Sequence, residues 1–185
     1  MGRLVLVTGG ARSGKSRVAE RLAAAAGARV VYVATMEAAD AETVGRVARH
    51  RERRPAEWVT VEEPVDLAGA LERAPGHSTV LVECLATWCG NLFWRAGLDE
   101  GGPVEPWELL VGEVAAKARE AARRARSREG LVVVVTNEVG WGIVPMGRMT
   151  RYYRDALGLA NQAFGEAADE VVLVVAGRRL VLDGS

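Results

Sequence analysis

The chain has only two cysteines, no excess of either charge and no apolar run long enough to cross a bilayer. Cys84 and Cys89 are too few for a disulfide framework, and without a histidine cluster they do not make a zinc site. The 24 acidic residues equal the 24 lysines and arginines. This balance disfavours a general nucleic-acid binder, which needs an excess of cations. No signal sequence precedes the first strand pattern, so we expect a cytoplasmic protein with no membrane span and no nucleic-acid partner.

Apolar residues make up 49% of the 185 residues, enough for the core of one domain covering residues 1–185. Runs such as LVLVT, TVLVE and LVVVVT are apolar throughout, which is typical of strands buried on both faces of a parallel sheet. Alternating stretches rich in alanine, arginine, glutamate and leucine predict helices on both faces, and therefore an α/β fold. We predict strands over residues 4–8, 30–34, 58–61, 80–83, 131–136 and 171–175, a last strand in RRLVLDG, helices over 15–26, 41–53, 65–74, 106–127 and 148–168, and a long loop over 97–106.

The most specific motif is GGARSGKS at residues 9–16, where Gly9, Gly14, Lys15 and Ser16 fit G-x-x-x-x-G-K-[ST]. A buried strand precedes it and an alanine-rich helix follows it. The glycines let successive backbone N–H groups converge on an anion, and the helix adds its positive end. The motif therefore predicts a P-loop in which Lys15 reaches the β and γ phosphates and Ser16 binds Mg²⁺.

A magnesium ion in such a site needs a second ligand, normally an acid at the carboxyl end of another strand. Glu83, which ends TVLVE, is the first candidate, and Glu138 in VVVVTNEVG is the second. Each could instead cap the turn that follows its strand. The chain lacks the N-K-x-D guanine motif, which disfavours a switch GTPase of the usual kind.

The stretch RVARHRERRP, residues 46–55, surrounds one histidine with arginines. On a helix, Arg46, His50, Arg53 and Arg54 would share one stripe. Neighbouring cations disfavour the imidazolium and keep a ring nitrogen nucleophilic at neutral pH, and they can also bind a triphosphate. Both properties suit nucleotidyl transfer through a histidine. A solvated basic helix face with a bystander histidine is the alternative.

Two further stretches carry weaker signals. His77, in APGHST, is expected in a surface turn, and Glu62 could bind a base or ribose or simply be solvated. The apolar segment NEVGWGIVP, residues 137–145, predicts a mobile flap that contacts a large substrate. In the alternative, Trp141 and Ile143 pack into the core or into a subunit contact.

Five stretches together resemble one known family. GGARSGKS, VYVAT, RHRERRPAEWVTVEEP, LVECLATWCGNL and VVTNEVGWGIVP follow one another over nearly the whole chain. In this order and spacing they resemble the bifunctional adenosylcobinamide kinase / adenosylcobinamide-phosphate guanylyltransferase family of cobalamin biosynthesis. Such enzymes phosphorylate adenosylcobinamide and then transfer GMP from GTP to the new phosphate through a guanylylated histidine, giving adenosylcobinamide-GDP.

The resemblance implies a RecA-like P-loop NTPase fold, a homo-oligomer, specifically a trimer, and Mg²⁺ with GTP or ATP as co-substrates. It implies that His50 carries GMP, while the phosphate-loop motif makes Lys15 the second catalytic residue. Some relatives have another histidine just before this one, but here that position is Arg49, which leaves His50 as the sole candidate on its helix. The nucleotide-binding residues that the resemblance implies are Gly9, Gly10, Ala11, Arg12, Ser13, Gly14, Lys15, Ser16, Ala34, Thr35, Met36, Arg51, Glu52, Arg53, Arg54, Glu62 and Glu83, of which Ser16 and Glu83 would hold the metal.

Two other functions remain open at the level of the sequence. The first is a P-loop metabolite kinase with a single activity, in which the basic helix only clamps the substrate. The second is a RecA-like module that binds a nucleic acid or another partner in a nucleotide-dependent way, although the neutral overall charge counts against it.

Overall fold

The computed structural model describes residues 2–37, 45, 51–52 and 54–182. Within these residues the chain forms a seven-stranded sheet with helices on both faces, which confirms the α/β prediction. The strands are β1 (Arg3–Thr8), β2 (Val30–Ala34), β3 (Val59–Glu62), β4 (Thr79–Glu83), β5 (Leu131–Val135), β6 (Glu170–Val175) and β7 (Arg178–Leu182).

Five helices are described in full: α1 (Lys15–Ala25), α2 (Leu67–Arg73), α3 (Leu85–Ala96), α4 (Glu105–Ser127) and α5 (Arg148–Ala167). Most of the predicted helix over 41–53 lies outside the described residues. Helix α3 is absent from the sequence prediction, although Leu85, Trp88, Cys89 and Phe93 recur on one buried face. No helix in the described ranges has both the length and the apolar character needed to cross a membrane.

The strand order is β3-β2-β4-β5-β1-β6-β7, and only the β6–β7 pair is antiparallel. The carboxyl ends of the six parallel strands therefore meet at one edge of the sheet. Strand β5 lies between β1 and β4, with Val135 paired to both Val7 and Glu83. This order places one strand, and therefore two strand spacings of about 4.8 Å each, between the strand that leads into the P-loop and the strand that ends in an acid.

The sheet separates two hydrophobic clusters. Helices α2 to α5 cover one face together with inward side chains such as Leu4 and Val134. Among the described helices, α1 alone contributes to the other face, where Ala19 and Ala23 pack against residues such as Val5. Small alanines let α1 lie close to the sheet, which brings the start of this helix directly over the ends of the strands.

Candidate active site

The phosphate loop over residues 9–16 connects β1 to α1 and depends on its glycines. Gly9 has φ 153°, and a Cβ added there would lie 2.4 Å from the carbonyl oxygen of Val174. Gly14, at φ 98°, occupies the N-cap of α1. A side chain is excluded at Gly9 by contact and disfavoured at Gly14 by its left-handed backbone. The remaining loop residues are Gly10, Ala11, Arg12 and Ser13, with Arg12 at φ 55°.

Lys15 is the first residue of α1, and its side chain folds back over the loop. The residue is 9% exposed, and its Nζ donates a hydrogen bond to the carbonyl oxygen of Gly10 at 3.1 Å. Burial lowers the pKa of Lys15 from its ordinary value, while the nearby carboxylate of Glu83 opposes that shift. The ammonium therefore lies against the phosphate loop at the cavity, where a polyphosphate would compensate its charge.

Ser16 and Glu83 lie in direct contact. The Ser16 hydroxyl donates to Oε1 of Glu83, which joins the start of α1 to the end of β4. A hydroxyl and a carboxylate are hard oxygen ligands of the kind that Mg²⁺ prefers, and Mg²⁺ typically takes its other ligands from phosphates and water. The pair therefore fits the magnesium site that the sequence predicts. Its two members are 67 positions apart in the chain.

Thr35, the residue after β2, forms hydrogen bonds with the backbone of Glu83 and Cys84. The Thr35 hydroxyl contacts the carbonyl oxygens of Glu83 and Cys84, both at 3.0 Å, and the N–H of Cys84 at 2.7 Å. Asn91 on α3 in turn donates to the carbonyl oxygen of Thr35 at 2.7 Å and to that of Pro64 at 3.0 Å. Thr35 is fully buried. Its hydrogen bonds therefore fix the backbone at the carboxyl end of β4.

Glu138, the second candidate for the metal, has different partners. Its Oε1 accepts hydrogen bonds from Thr8 at 2.7 Å and from Asn161 at 3.3 Å, and its N–H donates to the carbonyl oxygen of Gly9 at 3.2 Å. Glu138 therefore connects the end of β1 and the start of the phosphate loop to α5. The contact between Ser16 and Glu83 favours Glu83 as the metal ligand.

A cavity of about 1060 Å³ opens in front of the loop and the metal pair. This volume lies just above the range of about 300–1,000 Å³ that is typical of small-ligand pockets. Its far wall includes Tyr32 and Arg54, whose guanidinium carbon lies 3.8 Å from the centre of the tyrosine ring. The residues that line the cavity are Ala11–Val18 of the loop and α1, together with Arg21, Tyr32, Ala34, Met36, Arg54, Glu83, Cys84, Thr87, Val135, Asn137 and Gly177.

The predicted nucleotide-binding residues differ in their positions. Residues 11–16 of the loop, Ala34, Met36, Arg54 and Glu83 line the cavity, whereas Gly9, Gly10 and the buried Thr35 do not. Arg51, Glu52 and Glu62 are exposed and do not line it, so a nucleotide contact by these three stays a prediction. His50 and Arg53 lie outside the described residues. His77 lies in an exposed turn, as expected, with Nε2 2.9 Å from a carboxylate oxygen of Glu129.

Sequence reasoning missed several lining residues. The sequence pattern assigned Tyr32 and Val135 to strands and gave no sign of a role in binding. Thr87 lies on α3, the helix that was not predicted. Gly177 lines the cavity because the turn between β6 and β7 packs on the phosphate loop. The N–H of Gly177 donates a hydrogen bond to the carbonyl oxygen of Ser13 at 2.8 Å. Asn137 could have been found, since it follows a buried strand whose carboxyl end lies at the site.

Comparison with known proteins identifies close similarity over nearly the whole chain. Residues 5–182 match the family model described as cobinamide kinase / cobinamide phosphate guanyltransferase. The bifunctional adenosylcobalamin biosynthesis protein CobP of Pseudomonas aeruginosa is 42% identical over 181 residues, covering 97% of this chain and 96% of that protein. The protein CobU of Salmonella typhimurium, with the same bifunctional description, is also 42% identical, covering 94% and 96%.

Among solved structures, the RadB recombinase matches with a TM-score of 0.50 at 18% identity. The match covers 93% of this chain and 74% of the recombinase. At this identity the likeness concerns the fold alone, and it agrees with the RecA-like arrangement expected from the sequence.

Proposed function

Because the chain belongs to the cobinamide kinase / cobinamide phosphate guanyltransferase family, we propose that it phosphorylates adenosylcobinamide and then transfers GMP from GTP to adenosylcobinamide phosphate. The observation that carries this proposal is the joined Ser16–Glu83 pair beside Lys15, facing a cavity of about 1060 Å³. The pair suits a magnesium-bound triphosphate, and the volume leaves room for part of a second substrate.

In the kinase step, the loop N–H groups and Lys15 hold the β and γ phosphates of GTP or ATP. Ser16 and Glu83 would hold Mg²⁺, which when bound neutralises charge on the phosphate oxygens. The substrate hydroxyl attacks the γ-phosphorus, and the nucleoside diphosphate leaves. Since phosphoryl transfer depends mainly on position and charge, this step needs no covalent protein group.

In the transferase step, a ring nitrogen of His50 attacks the α-phosphorus of GTP, and pyrophosphate leaves. A phosphate oxygen of adenosylcobinamide phosphate then attacks the same phosphorus and breaks its bond to nitrogen, which gives adenosylcobinamide-GDP. Arg54 supports this proposal, because it follows His50 by four positions and lines the cavity. Its guanidinium would offset negative charge that develops on the α-phosphate.

The transferase step predicts a covalent protein adduct. After incubation with GTP and Mg²⁺, intact-mass and peptide mass spectrometry should find one GMP group on His50. His50→Ala should form no adduct and should lose the guanylyltransferase activity, while phosphorylation of adenosylcobinamide continues.

The matched control for this experiment is His77→Ala, because His77 is the only other histidine and lies in an exposed turn against Glu129. This variant should form the adduct at the wild-type rate. A GMP group on another residue, or turnover without an adduct in His50→Ala, would contradict the proposed intermediate. A protein that phosphorylates adenosylcobinamide but never accepts GMP would be a kinase with a single activity.

We extend the proposal to the remaining expectations from the sequence. The single continuous sheet supports one domain over residues 1–185 that carries both activities. The two free cysteines suit the reducing cytoplasm. A homo-oligomer, with a trimer as the specific expectation, stays a proposal that sedimentation analysis would test.

A further inference from the structure

We propose that the aromatic ring of Tyr32 positions the guanidinium of Arg54 for guanylyl transfer, an inference that rests on the proposed transferase step. Tyr32 is only 4% exposed, so it acts through Arg54 and not through its own contact with the nucleotide. The inference is carried by the contact between the two side chains, by the strand pair that supports this contact and by a turn that joins Arg54 to the chain after His50.

The contact between Tyr32 and Arg54 is close. The guanidinium carbon of Arg54 lies over the ring of Tyr32, 3.8 Å from its centre. A cation in this position is attracted by the negative face of the aromatic ring. Contact with a ring face consumes none of the N–H donors with which an arginine binds phosphate. Both residues line the cavity in front of the phosphate loop.

Two neighbouring strands support the contact. Tyr32 on β2 and Thr60 on β3 are register partners in a parallel pair, so their side chains project from the same face of the sheet. Nη1 of Arg54 donates a hydrogen bond to the hydroxyl oxygen of Thr60 at 3.1 Å. The guanidinium therefore contacts both members of one strand pair, which restricts its position more than either contact alone would.

The ring of Tyr32 is itself fixed by the core. It belongs to the hydrophobic cluster between the sheet and α1, which also includes Ala19 and Leu81. Burial is the largest cause of the raised pKa of Tyr32, so the side chain stays a neutral phenol around neutral pH. A neutral phenol inside the core is poorly suited to act as a base. The part of Tyr32 that serves the site is therefore the ring face against Arg54.

A turn connects Arg54 to the segment that carries the proposed nucleophile. The N–H of Arg54 donates to the carbonyl oxygen of Arg51 at 3.3 Å. Arg51 directly follows His50 in the sequence. Contact between Arg54 and Tyr32 therefore also restrains the chain immediately after the residue that is proposed to receive GMP. Such a restraint reduces the entropic cost of bringing the reacting groups together.

The guanidinium suits guanylyl transfer chemically. As a ring nitrogen of His50 bonds to the α-phosphorus, the bond from that phosphorus to the bridging oxygen breaks, and pyrophosphate leaves with the electron pair. Negative charge develops around the α-phosphate during this attack, and a guanidinium already in position offsets it without reorganisation. The kinase step takes place at the γ-phosphorus, so we expect the contact between Tyr32 and Arg54 to matter less there.

The first test measures the rate of GMP adduct formation when the ring is removed or kept. Single-turnover reactions with saturating GTP and Mg²⁺ would be followed by intact-mass spectrometry. Tyr32→Leu should form the adduct about tenfold more slowly, whereas Tyr32→Phe keeps the ring and should react at nearly the wild-type rate. Phosphorylation of adenosylcobinamide by Tyr32→Leu should stay close to the wild-type rate. A slow Tyr32→Phe, or equal losses in both activities of Tyr32→Leu, would overturn the proposal.

Fluorinated phenylalanines at position 32 give a test that does not depend on the folding of Tyr32→Leu. Each added fluorine withdraws electron density from the ring face and weakens its attraction for a cation, while the size of the ring changes little. Adduct formation should slow stepwise with the number of fluorines, whereas phosphorylation of adenosylcobinamide should not. An adduct rate that is independent of fluorination would overturn the proposal.

A double-mutant cycle tests whether Tyr32 acts through Arg54. Once Arg54→Ala has removed the guanidinium, the ring has nothing to position, so adding Tyr32→Leu should slow adduct formation no further. Independent losses that multiply in the double variant would overturn the proposal. Tyr152→Leu is the matched control, because it removes a half-buried tyrosine ring that stacks on Trp107 with centroids 5.8 Å apart. It should leave adduct formation unchanged.

The proposed function and the contact fail in distinguishable ways. If the wild type forms no GMP adduct, the proposed transferase step fails. Calorimetric titration of the cycle variants with GTP and Mg²⁺ would then decide the contact. Non-additive losses of GTP affinity would support positioning of Arg54 by Tyr32, and additive losses would overturn it.

Discussion

At the scale of single residues, Lys15 combines burial with a positive charge at the end of the phosphate loop. Its ammonium has the carbonyl oxygen of Gly10 as a hydrogen-bond partner at 3.1 Å. Burial lowers the pKa of this group, and Glu83 opposes the shift. A bound polyphosphate would raise the pKa again by adding negative charge beside the ammonium.

The lowered pKa predicts a pH dependence of nucleotide binding. Lys15 attracts phosphate only in its protonated form. The affinity for nucleotide should therefore be greatest below the pKa of Lys15 in the free protein and should fall as the pH rises through that pKa. That fall begins below the ordinary value of 10.5, since burial lowers the pKa. Calorimetric titrations of Mg²⁺–triphosphate between neutral pH and pH 10 would measure the decline and the accompanying proton uptake.

The control for this prediction is Lys15→Met, which keeps a long side chain without a charge. This variant should bind nucleotide weakly and lose most of the alkaline decline. An equally steep decline in the variant would assign the titration to another group. Lys15→Arg should keep affinity at high pH, because a guanidinium stays protonated throughout this range.

At the scale of elements, helix α2 shows how a short segment is fixed at both ends. Asp66 caps its first turn, with Oδ1 accepting from the N–H of Gly69 at 2.9 Å and Oδ2 from Arg73 at 3.1 Å. At the other end, the guanidinium of Arg128 donates to the carbonyl oxygens of Leu71 at 2.7 Å and Ala74 at 2.9 Å. These contacts satisfy backbone groups that a helix of seven residues leaves open.

The cap predicts a loss of stability in Asp66→Ala. Removing a capping carboxylate should lower the free energy of unfolding by about 1 kcal/mol and the unfolding temperature by about 2–4 °C. Its hydrogen bond to Gly69 is the main cause of the lowered pKa of Asp66. The stabilisation is therefore complete above the ordinary pKa of 3.8 and is lost as pH falls through the lower folded value. Thermal unfolding at several pH values would measure both effects.

The matched variant is Asp66→Asn, which keeps a capping oxygen but removes the charge. It should retain most of the stability at neutral pH. Its stability should also lack the acid-dependent loss attributed to Asp66. If Asp66→Ala and Asp66→Asn lose the same stability at neutral pH, the charge and not the capping oxygen supplies the stabilisation.

At the scale of the whole molecule, the apolar segment after β5 projects from the surface. Trp141 is 75% exposed and Ile143 is 97% exposed, which excludes the alternative in which they pack into the core of this chain. Arg151 on α5 donates to the carbonyl oxygens of Pro145 and Met146 and so fixes the end of the segment. Exposed apolar side chains beside a candidate active site favour contact with a large substrate or another subunit.

The exposed segment predicts that Trp141→Ala raises the KM for adenosylcobinamide severalfold while the affinity for GTP stays constant. The physical reason is the loss of apolar area that would cover the corrinoid. Steady-state kinase assays and GTP titrations would measure the two quantities. Leu109→Ala is the control, because Leu109 is 74% exposed on α4 and should leave the KM unchanged.

An unchanged KM in Trp141→Ala would contradict contact between this side chain and the corrinoid. Sedimentation of both variants at several protein concentrations would test the remaining alternative, in which the segment contacts another subunit. A fall in the subunit number of Trp141→Ala alone would place the segment in a contact between copies of the chain.

Local patterns predicted most of the fold and part of the site. The continuous apolar runs correspond to β1, β2, β4, β5 and β6 to within one residue at each end. Prediction failed for helix α3, whose LATWCGNLFWRA combines a glycine, an asparagine and bulky aromatics of modest helix propensity. Burial of its apolar face against the core decides its structure, and this contact involves residues far away in the chain.

The sequence by itself determined the phosphate loop, the α/β class and the acidic residue that ends β4. These features depend on neighbouring residues, since a glycine pattern and a run of apolar residues act over a few positions. Only the tertiary structure decided that Glu83 meets Ser16, that Thr35 supports the exit of β4 and that Asn137 lines the cavity. The physical reason is the strand order, because inserting β5 between β1 and β4 depends on long-range packing that no local pattern records.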